Sequence, residues 1–504
     1  MAFVAITFWW LTQDRSIPIY DVGDQLETAI EYHAMLQSGN LLGPLGHAGV
    51  YPILVHTVGA VAMLVGGVNV YAPVVGENVV FVPLLTLGCY QIGKRLYGPL
   101  AGMLAVVFAL GSPLLASLFH VFLLDAPLTA LLAVSVWLIL ASEHFSRVRL
   151  AALAGLVVGL GLNVKVQFAL YIAGFVVIVL ANGGWRNRRG LATFAAMAFM
   201  IGAPWYLIHV AELPTMLELA GGGPGTPVGN VPPTLSIDNF TWYFWDAVNY
   251  QLWAPLCAFV LAGVLWTAAA IARGQHRSSD QLEFLAGGFL AWLALTLTPH
   301  HDVRYGLALL VFLAILGSAW ITRLPRAACL AACLLLASVV VANVLGIDFG
   351  VGREVKVALA DPLAITEQSP DRVVVHATSG FLVAAPRRDG DVPGLLQALY
   401  REGVRTVAWT FRQTESAEFS HEGLTPLALM NGLKPVTTPR QEFSYSSQVA
   451  TLLHTPVTAH TPPTCTRLSD GTGVWVVRFE ITAGELALYC PSRRPQFYDL
   501  GSIG

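Results

Sequence analysis

The chain has 504 residues, of which 55% are hydrophobic and 12% charged, with a formal net charge of -3. A soluble globular chain carries about 25% charged residues, so a wholly soluble protein is excluded, and a mean hydropathy of +0.63 calls for many bilayer spans. The small net charge leaves no basic footprint for a nucleic-acid partner and no Lys/Arg block for a peripheral anchor.

The opening MAFVAITFWWL lacks a basic n-region and a small-residue cleavage site, so it reads as a shortened first span rather than a signal peptide. Its roughly 11 residues cover only about 16 Å, which implies a start upstream or a Met1 that begins inside the membrane. Apolar runs predict spans at 1–12, 76–93, 99–120, 125–142, 150–164, 166–182, 190–210, 247–271, 283–299, 305–321 and 327–345. Alternate connections hold Lys94, Arg95, Arg147, Arg149, Arg186, Arg188, Arg189, Arg273, Arg277, Arg323 and Arg326, whereas the opposite side holds only Arg15, Lys165 and Arg304. The positive-inside rule puts the first set in the cytoplasm. Counting residues 51–70 as a span would reverse that asymmetry. This stretch, with Pro52, His56, Gly59, Gly66 and Gly67, is therefore expected to lie at or dip into the outer face; a true span compensated by loss of the first is the other option.

The expected architecture is a polytopic α-helical membrane protein of about 11 spans plus outer juxtamembrane helices, over residues 1–345, with an extracytoplasmic α/β domain over 346–504. In the second part, short apolar runs at 373–375, 404–409 and 474–477 alternate with helical patterns at 395–401 and 424–430. Cys465 and Cys490 fall in this tail and either pair in an oxidising compartment or stay as separate buried thiols.

Acidic residues gather on the outer side. Asp21 and Asp24 stand three apart at the start of a helical pattern, so both can project to one side and one can act as a general base. Alternatively, Asp21 caps the helix while Asp24, Glu27 and Glu31 form its solvated face. Asp125 opens a span between apolar sequences, where a carboxylate is costly unless paired or functional; an N-cap with Pro127 in the first turn is compatible with either. Lys165 and Arg304 lie at the outer surface and can hold a lipid phosphate or snorkel to ordinary phospholipid. His300 and His301 read as polar linkers more readily than as metal ligands, and no CxxC or HxxxH spacing occurs. The loop 211–246 combines a Gly/Pro-rich run at 221–229, Trp242-Tyr-Phe-Trp245 and the triplet Asn239-Phe-Thr241, which matches the N-glycosylation pattern.

An ordered set of motifs over about residues 1–325 resembles the GT-C membrane glycosyltransferases, in particular the branch of aminoarabinose transferases and protein O-mannosyltransferases. The motifs are Tyr20-Asp21-Val-Gly-Asp24, Tyr51-Pro52-Ile-Leu, Arg95-Leu-Tyr-Gly98-Pro-Leu-Ala-Gly102, Ser112-Pro113, Asp125-Ala-Pro-Leu128, Gly159-Leu-Gly-Leu162 leading to Lys165, Ala203-Pro204-Trp205-Tyr206 and Arg304-Tyr305. The resemblance implies an inverting glycosyltransferase that takes a hexosyl or pentosyl unit from a polyprenyl-phosphate donor to a lipid, glycan or protein acceptor outside the membrane. It places the base on Asp21, with Asp24 competing, gives Asp125 a part in the same site, and assigns the donor phosphate to Lys165, Arg304 and Tyr305. It requires no cofactor, although some relatives use a divalent metal. The Ala/Leu/Val-rich spans and the lack of a eukaryotic targeting signal lean towards a bacterial inner (plasma) membrane. Here the family's usual Asp-Glu pair is Asp21-Val22, its double proline is Tyr51-Pro52, and valines flank Lys165. A transporter or lipid flippase is the rival reading; it predicts ionisable groups at mid-span and repeated halves, whereas the charges gather at outer span ends and no two halves look alike.

Overall fold

The computed structural model describes residues 2–13, 21–47, 51–67, 71–214, 232–273, 279–298 and 301–344, and the backbone of six strands between 372 and 480. The first elements are α1 (Ala2–Gln13), α2 (Asp21–Gln37), α3 (Gly43–Gly46), α4 (Leu54–Gly66), α5 (Tyr71–Tyr97), α6 (Pro99–Leu110), α7 (Pro113–Leu118) and α8 (Asp125–Ala141). They are followed by α9 (Val148–Leu162), α10 (Phe168–Ala181), α11 (Arg188–Ile208), α12 (Ile237–Asp246), α13 (Trp253–Ala272), α14 (Ser279–Leu297), α15 (Leu310–Ala319) and α16 (Arg326–Val344). Among the described residues, five stretches are long and apolar enough to cross a bilayer: Tyr71–Tyr97, Arg188–Ile208, Trp253–Ala272, Tyr305–Arg323 and Arg326–Asn343.

The helix α4 covers 13 residues of the stretch expected at the outer face. The continuous span expected at 99–120 is instead two helices, α6 and α7. Ser112 caps α7 by accepting the Leu115 amide at 3.2 Å, and Pro113, which has no amide proton to continue the preceding helix, occupies its first turn. The span expected from 247 starts as a helix only at Trp253, because a π-turn over Ala247–Gln251 comes first and Trp253 itself takes a left-handed φ of 58°.

Below Asp125 the helix α8 is apolar apart from the hydroxyls of Thr129 and Ser135, and every residue but Trp137 is buried, so it forms the centre of the bundle. Small residues let its neighbours approach. A Cβ at Gly88 of α5 would lie 2.6 Å from the Ala133 carbonyl carbon of α8, and one at Gly155 of α9 would lie 2.2 Å from the Phe194 carbonyl oxygen of α11. Gly155 and Gly159 stand four apart on the face of α9 that meets α11, a small-xxx-small seam suited to helices that cannot be driven together by the hydrophobic effect in lipid. At the far end of α8, Glu143, His144 and Phe145 all take left-handed φ values of 51°, 56° and 64°. Buried Phe145 and a 2.7 Å hydrogen bond from the Asn187 amide to the His144 carbonyl hold that turn.

The strands are β1 (Arg372–Ala377), β2 (Leu382–Pro386), β3 (Val404–Arg412), β4 (Lys434–Pro435), β5 (Arg440–Phe443) and β6 (Val474–Glu480), paired antiparallel in the order β2-β1-β3-β6-β4 with β5 also on β6. The three apolar runs at 373–375, 404–409 and 474–477 fall in β1, β3 and β6. The helical patterns at 395–401 and 424–430 and both Cys465 and Cys490 lie outside the described residues.

Gly155→Val forces α9 away from the Phe194 carbonyl. The expected cost is about 1–3 kcal/mol, read as a lowered melting temperature of the detergent-solubilised protein.

Candidate active site

Five segment ends meet at one place. Asp21 opens α2, Tyr51 precedes α4, Asp125 opens α8, Lys165 lies in the link between α9 and α10, and Asp302 and Arg304 precede a 3-10 turn, Tyr305–Leu309, that leads into α15. The buried His56 ring ties α2 to α4 through contacts with the Gln25 side chain and the Pro52 carbonyl, which keeps the start of α4 beside the start of α2.

Lys165 and Asp125 form a buried ion pair, Nζ to Oδ1 at 3.0 Å, with side chains only 5% and 6% exposed. Asp125 is therefore the first helical residue and a counter-ion; Leu124 is the N-cap and no side chain caps it. The Lys165 ammonium also stands over the Tyr305 ring at 4.8 Å and the Tyr51 ring at 5.8 Å, within reach of cation–π attraction. Burial disfavours the ammonium, but the Asp125 carboxylate and Tyr51 outweigh it, so the Lys165 pKa is raised. Burial raises the Tyr51 pKa, with Lys165 opposing.

Arg304 carries the second half of the site. Its Nε donates to Asp302 Oδ1 and Oδ2 at 3.1 and 3.0 Å, its Nη2 to Asp302 Oδ2 at 2.6 Å, and its backbone amide to Asp302 Oδ1 at 2.9 Å. Its Nη1 donates to Asp21 Oδ2 at 2.6 Å. The side chains of Asp302 and Arg304 are 3% and 18% exposed, whereas Asp21 is 48% exposed. Burial alone would raise the Asp302 pKa; the Arg304 guanidinium and its hydrogen bonds overcome this and lower it, while the two carboxylates raise that of Arg304 despite burial. The Tyr171 hydroxyl donates to the Tyr305 carbonyl at 3.1 Å and fixes the turn that follows.

The expected residues Asp21, Asp125, Lys165, Arg304 and Tyr305 thus come together. Asp24 shares α2 with Asp21, but its side chain lies outside the described residues, as do His300 and the Gly/Pro-rich run at 221–229. Lys165, expected to face a lipid phosphate, has its ammonium paired with Asp125 in the interior. His301 is not a polar linker: it is buried, stacked on Tyr243 at 5.3 Å and edge-on to Trp242 at 5.1 Å. Asn239 of the glycosylation triplet is fully buried, with its amide donating to the Thr234 and Thr296 carbonyls, so it presents no acceptor.

Two residues at the site carry roles that the sequence did not assign. Asp302 counts among the outer-side acids, and the signal for its pairing was the two-residue spacing to Arg304 in a loop that turns back through a Tyr305 amide to Asp302 carbonyl bond of 3.0 Å. Glu77 is the other. It is fully buried near the start of α5, beside the Leu123 backbone and with Asp125 as a neighbouring charge, so this acid too lies towards the span end that carries the site. Among the described residues no three His, Cys, Asp or Glu side chains converge on a metal position.

Residues 51–208 match the family model described as dolichyl-phosphate-mannose-protein mannosyltransferase. The crystal structure of ArnT from Cupriavidus metallidurans bound to undecaprenyl phosphate is similar with a TM-score of 0.53 and 15% identity, over 68% of this chain and 64% of that one. The same protein in the apo state gives a TM-score of 0.51 and 17% identity, over 68% and 63%. This chain therefore matches somewhat less than two thirds of the length of those structures. No curated protein sequence matches the chain.

Lys165→Met leaves Asp125 as an uncompensated buried carboxylate and is expected to cost about 3–5 kcal/mol, most of it recovered in Asp125→Asn/Lys165→Met; a double-mutant cycle on unfolding measures this. The lowered Asp302 pKa gives stability that is present above the ordinary carboxylate pKa and lost as pH falls through the lowered one. The raised Lys165 pKa gives stability that is present below the ordinary lysine pKa and lost as pH rises through the raised one. A melting scan from about pH 5 to about pH 9 should therefore show no step from this cluster. Arg304→Gln, which strands Asp302, should introduce a loss of stability with rising pH.

Proposed function

We infer that this chain, whose membrane part has the fold of the GT-C glycosyltransferases, is an integral membrane enzyme that moves a sugar from a polyprenyl-phosphate donor to an acceptor outside the membrane. The observation that carries the reading is the Asp21–Arg304–Asp302 chain beside the Lys165–Asp125 pair. A half-exposed carboxylate is held next to an arginine whose other edge is anchored, all at the helix ends that the positive-inside asymmetry assigns to the extracytoplasmic face. The same asymmetry supports a membrane domain over 1–345 with about eleven spans and an extracytoplasmic place for 346–504, whose alternating strand and helix patterns support an α/β domain, and the Ala/Leu/Val-rich spans fit a bacterial inner membrane.

The chemistry divides between the two charges. The acceptor hydroxyl attacks the anomeric carbon as the bond from that carbon to the phosphate oxygen breaks. The hydroxyl proton passes to an Asp21 carboxylate oxygen, and the electron pair leaves on the polyprenyl phosphate, whose added charge Arg304 stabilises. Exposure suits Asp21 to an incoming hydroxyl, and Asp24, one turn along α2, is the competing base. A single displacement inverts the anomeric centre. Asp125 acts through Lys165, which presents a fixed positive charge beneath Tyr51 and Tyr305 rather than a mobile phosphate ligand. Keeping the donor tail in the bilayer explains why the active face sits at the membrane surface.

Transfer is measured in proteoliposomes with radiolabelled polyprenyl-phosphate hexoses and pentoses and extracted envelope lipids and glycans as acceptors. Asp21→Asn is expected to lower turnover by about 10²–10⁴-fold with the protein still folded, and Asp24→Asn to leave it close to wild type. Full activity in Asp21→Asn together with loss in Asp24→Asn moves the base to Asp24. Absence of transfer with every donor, combined with movement of lipid or solute across the bilayer, overturns the reading in favour of a transporter.

A further inference from the structure

Arg304 is shared unequally between two carboxylates. Asp302 takes the side edge of the guanidinium, Nε with one Nη2 proton, and also accepts the Arg304 backbone amide. These bonds close within three residues of one loop and lie almost entirely out of solvent, with Asp302 only 3% exposed. The contact to Asp21 differs in every respect. It is a single Nη1 bond to a residue 283 positions away, on another element, whose side chain is 48% exposed.

The end edge of the guanidinium, Nη1 with the second proton of Nη2, is the one that Asp302 leaves uncovered. Two parallel N–H groups in that fork match two oxygens of a phosphate, and Asp21 Oδ2 now stands on one of them. The charges argue against simple addition of a phosphate. Asp21, Asp125 and Asp302 already outnumber Lys165 and Arg304, and Lys165 is engaged by Asp125. An anion that reached Arg304 with Asp21 still in place would put two like charges on one fork.

Resting on the glycosyltransferase reading, we propose that Asp302 is a positioning residue that locks Arg304 by its side edge, and that the donor phosphate displaces Asp21 from Nη1, releasing that carboxylate to serve as the base. In the free protein the base is therefore held by the cation that binds the donor. The acceptor hydroxyl meets a free carboxylate only after the donor is seated, which disfavours proton abstraction in an empty site and sets an order of binding, donor first. Nothing but the partner of Nη1 changes; the Asp302 edge and the Lys165–Asp125 pair stay as they are.

The test uses undecaprenyl phosphate as the phosphate probe and the full-length protein in nanodiscs. Its binding is measured by equilibrium titration, and the accessibility of Asp21 by carbodiimide coupling to a labelled amine, quantified by mass spectrometry of the Asp21 peptide. The expected result is saturable binding with a parallel rise in Asp21 labelling, and labelling in Arg304→Ala that is already high and does not respond to the lipid. Asp302→Asn loosens the fork and is expected to raise KM for the donor about tenfold or more while kcat changes less, the scale of a lost charge-assisted contact. Binding without any rise in Asp21 labelling of the wild type overturns the exchange but leaves the glycosyltransferase reading standing. No binding of the lipid phosphate overturns both. A fall in kcat with unchanged KM in a folded Asp302→Asn removes Asp302 from the positioning role.

Discussion

The site depends on one constraint: a charge removed from water at the edge of a bilayer must find its opposite. Lys165 and Asp125 satisfy it in the interior, and Arg304 and Asp302 satisfy it nearly as deeply. Each pair binds a loop to a helix or turns a loop back on itself, so the same contacts that neutralise charge also fix where α8, the link between α9 and α10, and the entry to α15 can sit. Removing one partner would leave a buried charge that the surrounding apolar helices cannot solvate.

Packing in the membrane makes those positions rigid. The bundle closes through glycines at backbone contact distance, Gly88 against α8 and Gly155 against α11, and through the wholly buried α8. With no apolar area gained by helix association in lipid, close backbone approach and complementary shape supply the attraction. The breaks in the helices are equally purposeful in position. Ser112 and Pro113 end a span early, and the π-turn over Ala247–Gln251 delays another. The two breaks are joined, since the Ser112 hydroxyl donates to the Gln251 carbonyl at 2.6 Å.

Function in this arrangement is a matter of which contacts are permanent. Asp302 is enclosed and Asp21 is half open, and both hold the same guanidinium. In the proposed glycosyltransferase, one cation stays aimed at the lipid phosphate while its partner changes, and a carboxylate becomes available only when there is something to deprotonate. A loop-local anchor with a long-range, exposed second contact suits both with three side chains.

Much of this was legible from residue order. Long apolar runs located most of the helices, the Lys/Arg asymmetry gave an expected orientation, and Asp21, Asp125, Lys165 and Arg304 stood out because charge is rare in such a chain. What sequence alone determined was that these charges lie at helix ends on one side, since hydropathy and the cost of burying charge act along the chain. Their partners were decided only by the tertiary structure. Lys165 meets Asp125 across 40 residues and Arg304 meets Asp21 across 283, and no local rule couples positions so far apart. Burial was likewise invisible in one dimension. Asn239 matched a glycosylation triplet and His301 read as a linker, while Glu77 passed unnoticed, because a polar residue in an apolar chain reveals its environment only when other helices close around it.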